Sequence, residues 1–268
     1  GEDVAGRMLS LLPQMNEVRN HGTSDMEFAV SGLLARSQLA NGQPTDARRT
    51  IEVLHECFVE RGLTRFLPNM DAMLCRIDIH TGDLDAADAW YREKAPCEPT
   101  HLNVMRRYQY LTQAMVEIMQ NRPDAALLTL SPMEPYIQNC ARIIDGIHLN
   151  VLTAIALRRK KDERWRERLT AALGAAAEYR FIRTVSVYGT AVLPLLGALE
   201  WDGDKKWYKQ LMAAVRMQAA FYPHFLEPRL APGEELTPTE LQILHLICAD
   251  KSNAEIAQIM DVKLPTVK

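Results

Sequence analysis

"TGDLDAADAWYREK" (residues 81–94) is the middle one of three similar segments, the others being "NGQPTDARRTIEVL" (41–54) and "QNRPDAALLTLSPM" (120–133). Each segment starts with a polar turn that contains Gly, Asn or Pro, continues with an Asp-Ala pair, and then runs into apolar residues at helical spacing. A turn followed by an amphipathic helix, repeated along the chain, predicts an all-α fold built from pairs of helices.

The Asp-Ala pairs recur at a constant interval. They begin at Asp46, Asp85 and Asp124, which are 39 residues apart each time. A weaker copy places Asp162 another 38 residues along the chain, and a fifth copy lies near Asp204. Because periods of about 20–50 residues indicate helical-repeat arrays, we predict a stack of helix pairs over residues 1–222. A non-repetitive helical bundle is the alternative.

The repeat predicts where each helix lies. The first helices of the pairs are expected at 26–40, 66–80, 101–119, 140–158 and 184–199. The second helices are expected at 45–60, 84–94, 123–130, 162–180 and 204–221. The turn Asp should open each second helix and accept a free backbone N–H there, and the small Ala after it should let two helices approach closely.

The composition excludes several classes of protein. Of the 268 residues, 47% are apolar and the formal net charge is −3, so no general attraction to nucleic acid or membranes is expected. The sequence predicts neither a transmembrane stretch nor a signal peptide, and five widely spaced cysteines favour a reduced, cytoplasmic setting. Phosphate-binding-loop, zinc-protease and serine-hydrolase motifs are missing, so we expect neither an enzyme nor a bound cofactor or metal.

The amino-acid composition changes after the repeats. The stretch "YPHFLEPRLAPGEE" (222–235) contains three prolines and a glycine within eleven residues, and proline disfavours helix at and before its own position. We therefore predict a linker at 223–235 and a separate module at 236–268.

The sequence of this module predicts two helix starts. Thr237 and Glu240 form one capping-box pattern, and Ser252 and Glu255 form another. The second helix should run from about Asn253 to Met260, with Ile256 and Ala257 facing inward. A tight turn at Asp261 and Val262 would then lead into a third helix beginning near Leu264. A helix, a short helix, a tight turn and a further helix make up a helix-turn-helix.

The module resembles the LuxR-type (GerE-type) DNA-binding domain. Three blocks carry the resemblance in order: Leu236-Thr237 with Glu240, Ser252-Asn253 with Glu255-Ile256-Ala257, and Thr266-Val267-Lys268. In this family the third helix lies in the DNA major groove. The resemblance implies a DNA-binding set consisting of Ser252, Asn253, Lys263, Thr266, Val267 and Lys268.

The roles within this set differ. Ser252 and Asn253 would cap the second helix and present its N-terminus to a phosphate, two roles that are compatible. Lys268 would contact DNA, with a solvated surface lysine as the alternative, whereas Val267 is expected mainly to pack the recognition helix. Thr239 and Lys263 depart from the basic and capping residues that the family commonly carries there.

The charge and the end of the sequence limit DNA binding. Residues 230–268 hold three lysines and six acidic residues, although DNA affinity depends on neutralising phosphates. The family pattern continues past Thr-Val-Lys, so the module is expected to be incomplete at its C-terminus. We expect this 268-residue chain to bind DNA poorly or not at all.

The repeats resemble the longer, looser form of the tetratricopeptide superfamily, over about residues 26–222. Such a body joined to a LuxR-type module resembles the MalT-like regulators, in which an ATPase domain precedes the repeats; no ATPase is present in this sequence. The resemblance implies a transcriptional regulator whose body senses a small-molecule effector or partner protein, controls homo-oligomerisation and binds promoter DNA. A repeat scaffold that binds only proteins is the competing hypothesis.

Overall fold

The computed structural model describes residues 4–96, 102–227, 239, 242–243, 246–247, 251–260 and 262. The chain divides into two compact units, residues 1–228 and residues 229–268. All regular structure in these described stretches is helical, without a strand. The all-α prediction is confirmed.

The first unit, called the body below, consists of consecutive helices. In chain order they are α1 (Val4–His21), α2 (Ser24–Ala40), α3 (Pro44–Glu60), α4 (Leu67–Thr81), α5 (Leu84–Glu93), α6 (Arg107–Met119), α7 (Pro123–Leu130), α8 (Met133–Asn139), α9 (Ile143–Arg159), α10 (Trp165–Glu178), α11 (Arg183–Ser186), α12 (Gly189–Ala198) and α13 (Lys205–Phe221). Single 3₁₀ turns precede α4 and α6.

The helix pairs agree with the predicted repeat. Pairs form from α2 and α3, α4 and α5, α6 and α7, α9 and α10, and α12 and α13, and the two helices of each pair pack against each other. The short α8 is an unpredicted insertion after the third pair. The helix expected at 184–199 is instead broken into α11 and α12, because Gly189 has a φ of 33° and its backbone packs closely on Ala219.

The turn within each of the first four pairs has the same geometry. The residues Gly42, Gly82, Asn121 and Lys161 all adopt positive φ, between 57° and 79°. In each turn the next backbone N–H donates to the carbonyl five residues earlier, as in Asp83 to Asp78 at 2.9 Å. This is the Schellman ending of a helix. The structural repeat is therefore fixed at these turns, and glycine supplies only two of them.

The turns between successive pairs have the same backbone geometry. Gly62, Ala141 and Arg180 have φ values of 68°, 48° and 57°, and the residue after each donates its N–H to the carbonyl five residues before it. A side chain in this left-handed region costs about 1–2 kcal/mol. Ala141 and Arg180 are therefore strained positions that the surrounding hydrogen bonds hold in place.

Replacing Ala141 by glycine is expected to stabilise the body by about 0.5–1 kcal/mol. Relief of the left-handed strain exceeds the extra flexibility that glycine gives the unfolded chain. The same substitution at Ala171, which is exposed within α10, should destabilise it by about 1 kcal/mol. Urea unfolding measures both changes, and two shifts of the same sign would contradict the assignment of strain to Ala141.

Only some of the turn aspartates cap the helix that follows them. Asp204 caps α13 by accepting the N–H groups of Lys206 and Trp207, and Asp162 accepts the N–H of Arg164 at 3.0 Å. In the second pair the cap is Asp83, not the predicted Asp85.

Asp46 and Asp124 lie inside the first turn of helices whose own caps make no side-chain bond. There their charges favour the positive helix end without capping it. The capping prediction is wrong for Asp46, Asp85 and Asp124, because a proline or leucine at the first helical position moves the helix start by two or three residues.

One buried position recurs in the second helices. It is filled by Ala47, Ala87, Ala126, Trp165 and Trp207, all with no exposed surface. The three alanines let the paired helices approach closely. The predicted alanine, the one directly after the turn Asp, fills this position only at Ala47; in the next two pairs the buried alanine lies one residue further along the chain. The two tryptophans fill wider gaps in the fourth and fifth pairs.

The stack of pairs curves until its two ends meet. Gln218 near the end of α13 donates its amide to the Ala40 carbonyl at 2.8 Å, and the Tyr222 hydroxyl donates to the Leu39 carbonyl at 2.6 Å. The Phe221 ring also lies so close to Gly42 that a side chain there would clash. The last pair is thereby joined directly to the first, across 178 and 183 residues of sequence.

A short segment beyond α13 continues this closure. Phe225 and Leu226 are 2% and 1% exposed, although the sequence placed both in the linker. The Phe225 ring centre lies 4.4 Å from that of His80, and Arg159 donates to the carbonyls of Leu226 and Ile118. We call residues 222–227 the clasp; this part of the predicted linker packs on the body.

Candidate nucleic-acid interface

Within the described residues of the second unit, a short helix, α14, spans Asn253–Ile259. Ser252 is its N-cap and Glu255 its third residue, and both bonds of the predicted capping box form. The Ser252 hydroxyl accepts the Glu255 N–H at 3.4 Å, while a Glu255 carboxylate oxygen accepts the Ser252 N–H at 2.9 Å. The start of the second helix is therefore confirmed.

The helix has one apolar face. Ile256 and Ala257 are 0% and 8% exposed, as expected for residues that pack against the rest of a small helical module. The helix ends at Ile259, and the N–H of Val262 donates to the Ala257 carbonyl at 3.0 Å. Of the two predicted turn residues, Val262 is described, and Asp261 lies outside the described residues.

The described part of the predicted DNA-binding set is exposed. Ser252 and Asn253 both lie at the solvent-facing N-terminus of α14. The remaining predicted residues, Lys263, Thr266, Val267 and Lys268, lie outside the described residues. The first capping box, at Thr237 and Glu240, lies outside them as well. The DNA-binding assignment of all six residues stays a prediction.

The charges near α14 are mixed. Lys251 and Glu255 form an exposed ion pair with 3.9 Å between nitrogen and oxygen. The bonds that Glu255 accepts from the Ser252 backbone and side chain lower the pKa of its carboxyl. The Glu255 carboxylate lies at the N-terminus of α14. A phosphate would therefore bind the backbone N–H groups of the first turn that the capping box does not use.

Comparisons with known families connect both units. Residues 12–202 match the family described as the MalT-like TPR region. The chain belongs to this family. A second match covers residues 234–268 and is described as bacterial regulatory proteins of the luxR family, GerE. No curated protein and no solved structure matches the chain. The two resemblances seen in the sequence are confirmed.

The luxR-family match makes this MalT-like chain a transcriptional regulator with a DNA-binding module. Sequence motifs located that module, because its capping box and apolar spacing are local. The clasp was missed, because Pro223 and Pro228 flank its buried residues and predicted a linker. The sequence signal for the clasp was the presence of three large apolar residues in this proline-rich stretch, Tyr222, Phe225 and Leu226, all of which are buried.

Within the described part of the chain, the helices lack the length and hydropathy that a membrane-spanning segment requires. No group of three or more His, Cys, Asp or Glu side chains among these residues is placed to hold a metal ion.

Proposed function

We propose that the body of this regulator senses a small-molecule effector or a partner protein, and that this binding controls self-association. Two associated copies would place two LuxR-type modules on paired half-sites of promoter DNA. Such a protein would act in the cytoplasm. The observation that carries the proposal is the joining of a MalT-like repeat region to a luxR-family module in one chain.

The closed body supports a role in signalling. Contacts across about 180 residues join the first pair of helices to the last, so an effector that changes the curvature of the stack must also act on these contacts. The clasp leads directly towards the second module in sequence. A change in the body therefore has a covalent route, through the clasp, by which to influence the DNA-binding module.

The proposal is tested by DNA binding of the full-length protein. Fluorescence anisotropy with promoter DNA is expected to show sequence-selective binding whose affinity falls steeply as salt is raised. Asn253→Asp should weaken binding about tenfold, because it places a negative charge beside a phosphate. An acid in the first turn stabilises a helix, so unfolding of α14 cannot explain that loss.

The matched control is Gln258→Glu, the same amide-to-acid change at an exposed position near the other end of α14. It is expected to weaken binding less than Asn253→Asp does. Equal effects of the two variants would remove Asn253 from the interface. Absence of salt-sensitive, sequence-selective binding would reject DNA binding and favour the protein-binding scaffold.

A further inference from the structure

A cavity of about 390 Å³ lies between the third and fourth helix pairs. Residues of α7, α9 and α10 form most of its lining, and α8 contributes Glu134. The central helix is α9, which packs against the other three. Leu149, Thr153 and Leu157 follow one another at intervals of four along α9, so they form one stripe of the cavity wall. A volume of this size is typical of small-molecule sites.

The interior of this cavity is mainly apolar. Leu130, Leu149 and Leu157 are 1%, 4% and 5% exposed, and all three belong to its lining. The exposed residues Ser131 and Glu167 also belong to the lining, so the cavity is open to solvent at that edge. A ligand could therefore enter from solvent and place an apolar group against the leucines.

Thr153 is a polar group in this apolar wall. It is 9% exposed, and its hydroxyl forms no hydrogen bond with another described residue. Thr81 and Thr112, by contrast, donate to the carbonyls four residues earlier in their own helices. A buried hydroxyl without a partner is unfavourable, and a ligand group that bonds to it removes that cost.

The cationic groups at the edge of the cavity already have anionic partners. Arg168 pairs with both carboxylate oxygens of Glu134, and its Nη1 also donates to the Asn150 side chain at 3.3 Å. Arg164 donates from Nη2 to an Asp162 carboxylate oxygen at 2.6 Å. An anionic ligand would have to compete with these carboxylates. The lining therefore favours a ligand without a net charge.

We propose that this cavity binds an uncharged, largely apolar small molecule that carries one hydrogen-bonding group, such as a hydroxyl or an amide. The apolar part lies against the leucines of α7 and α9, and the polar group bonds to the Thr153 hydroxyl. This molecule is the small-molecule effector of the proposed function, on which the inference rests.

The helix α9 connects this cavity with the clasp. Leu157 lines the cavity, and Arg159, two residues further along the helix, donates to the Leu226 carbonyl of the clasp. A ligand that shifts the last turn of α9 therefore acts on a contact that holds the clasp to the body. Binding in the cavity thus has a packed route to the segment that precedes the second module.

The test uses isothermal titration calorimetry of the 268-residue chain with 1-octanol, octanoate and octylamine at pH 7. The three probes share one apolar chain and differ in the charge of the head group. Saturable binding of 1-octanol with a stoichiometry near one is expected. Octanoate and octylamine should bind at least about tenfold more weakly, because a charged head group loses hydration in the cavity.

Thr153→Val is the decisive variant. It keeps the shape of the side chain and removes the hydroxyl, which should weaken 1-octanol binding about fivefold. Because that hydroxyl has no partner among the described residues, the variant should fold like the unaltered chain. The matched control is Thr170→Val, the same change at an exposed position of α10, which should leave the affinity unchanged. Leu127→Trp, at a half-buried position of the lining, should fill the cavity and abolish binding.

Three results would overturn the site: no saturable binding of 1-octanol, equal affinities in Thr153→Val and the unaltered chain, or tighter binding of either charged probe. The proposed function fails independently, since it depends on DNA binding. A full-length protein that binds DNA while this chain ignores 1-octanol would retain the regulator and lose the site. The reverse pair of results would retain the site and lose the regulator.

Discussion

Phe225→Ala is expected to lower the free energy of unfolding by about 3–5 kcal/mol, the usual cost of removing a buried aromatic ring. Phe225 is 2% exposed and lies against His80 and Tyr188, with ring centres 4.4 and 6.4 Å away. Its removal leaves a cavity where the clasp covers the end of α4. The effect would be unusual for a residue in a proline-rich stretch, which is why it distinguishes a packed clasp from a linker.

Urea unfolding of the 268-residue chain measures the change. His224→Ala is the matched control, because His224 is the neighbouring residue and is exposed, and its ion-pair partner within the described part of the chain is the exposed Glu227. It should change stability by less than about 1 kcal/mol. If both variants had the same small effect, the clasp would contribute nothing to the stability of the body.

Acidification from pH 7 to pH 5 is expected to destabilise the body by about 2–3 kcal/mol. Burial lowers the pKa of His80 from 6.5 to about 4 and that of His148 from 6.5 to about 3. The unfolded chain therefore takes up protons before the folded chain does. The stabilisation is complete above the unfolded pKa and is lost as the pH falls through the interval down to the folded pKa. At about 1.4 kcal/mol per pH unit, each histidine costs about 2 kcal/mol at pH 5.

One buried carboxyl works in the opposite direction. Burial raises the pKa of Asp78 from 3.8 to about 6, against the effect of Arg48. The folded chain binds this proton first, so Asp78 restores about 1 kcal/mol between pH 6 and pH 5. Acidification still lowers the free energy of unfolding, because two histidines contribute and the pKa shift of each is larger than or similar to that of Asp78.

The histidine contribution is isolated by comparing slopes. His148→Gln keeps a polar group beside the Tyr188 hydroxyl but cannot take up the proton. Its free energy of unfolding, measured in urea at pH 7, 6 and 5, should fall by about 2 kcal/mol less than that of the unaltered chain. Identical pH profiles would show that His148 does not titrate differently in the folded and unfolded states.

Much of the body could be predicted because its signals are local. A helix pair needs a turn, a helix start and an apolar face, and all three are encoded within about 40 consecutive residues. The left-handed turns were visible only where glycine occupies them, at Gly42, Gly62 and Gly82. Asn121, Ala141, Lys161 and Arg180 adopt the same conformation, and no residue preference reveals this for the last three.

The start of α14 at the candidate interface could also be predicted, because its signal is local. The capping box of α14 involves Ser252 and Glu255 alone, so four consecutive residues determine it. Asn253 is exposed although it lies three and four residues before the buried Ile256 and Ala257, and therefore on their side of the helix. The apolar pattern does not predict its exposure. Contacts with DNA depend on how residues outside this helix are placed, which no local pattern supplies.

The sequence by itself determined the helix pairs, their period, the family and the identity of the terminal module, because each depends on neighbours along the chain. Only the tertiary structure decided that α13 returns to α2, that the clasp is buried, and that His148 is buried beside the Tyr188 hydroxyl. The physical reason is that each pair is rotated slightly relative to the one before it, and these rotations add up along the stack. Contacts across about 180 residues depend on the sum of those rotations, which no single repeat encodes.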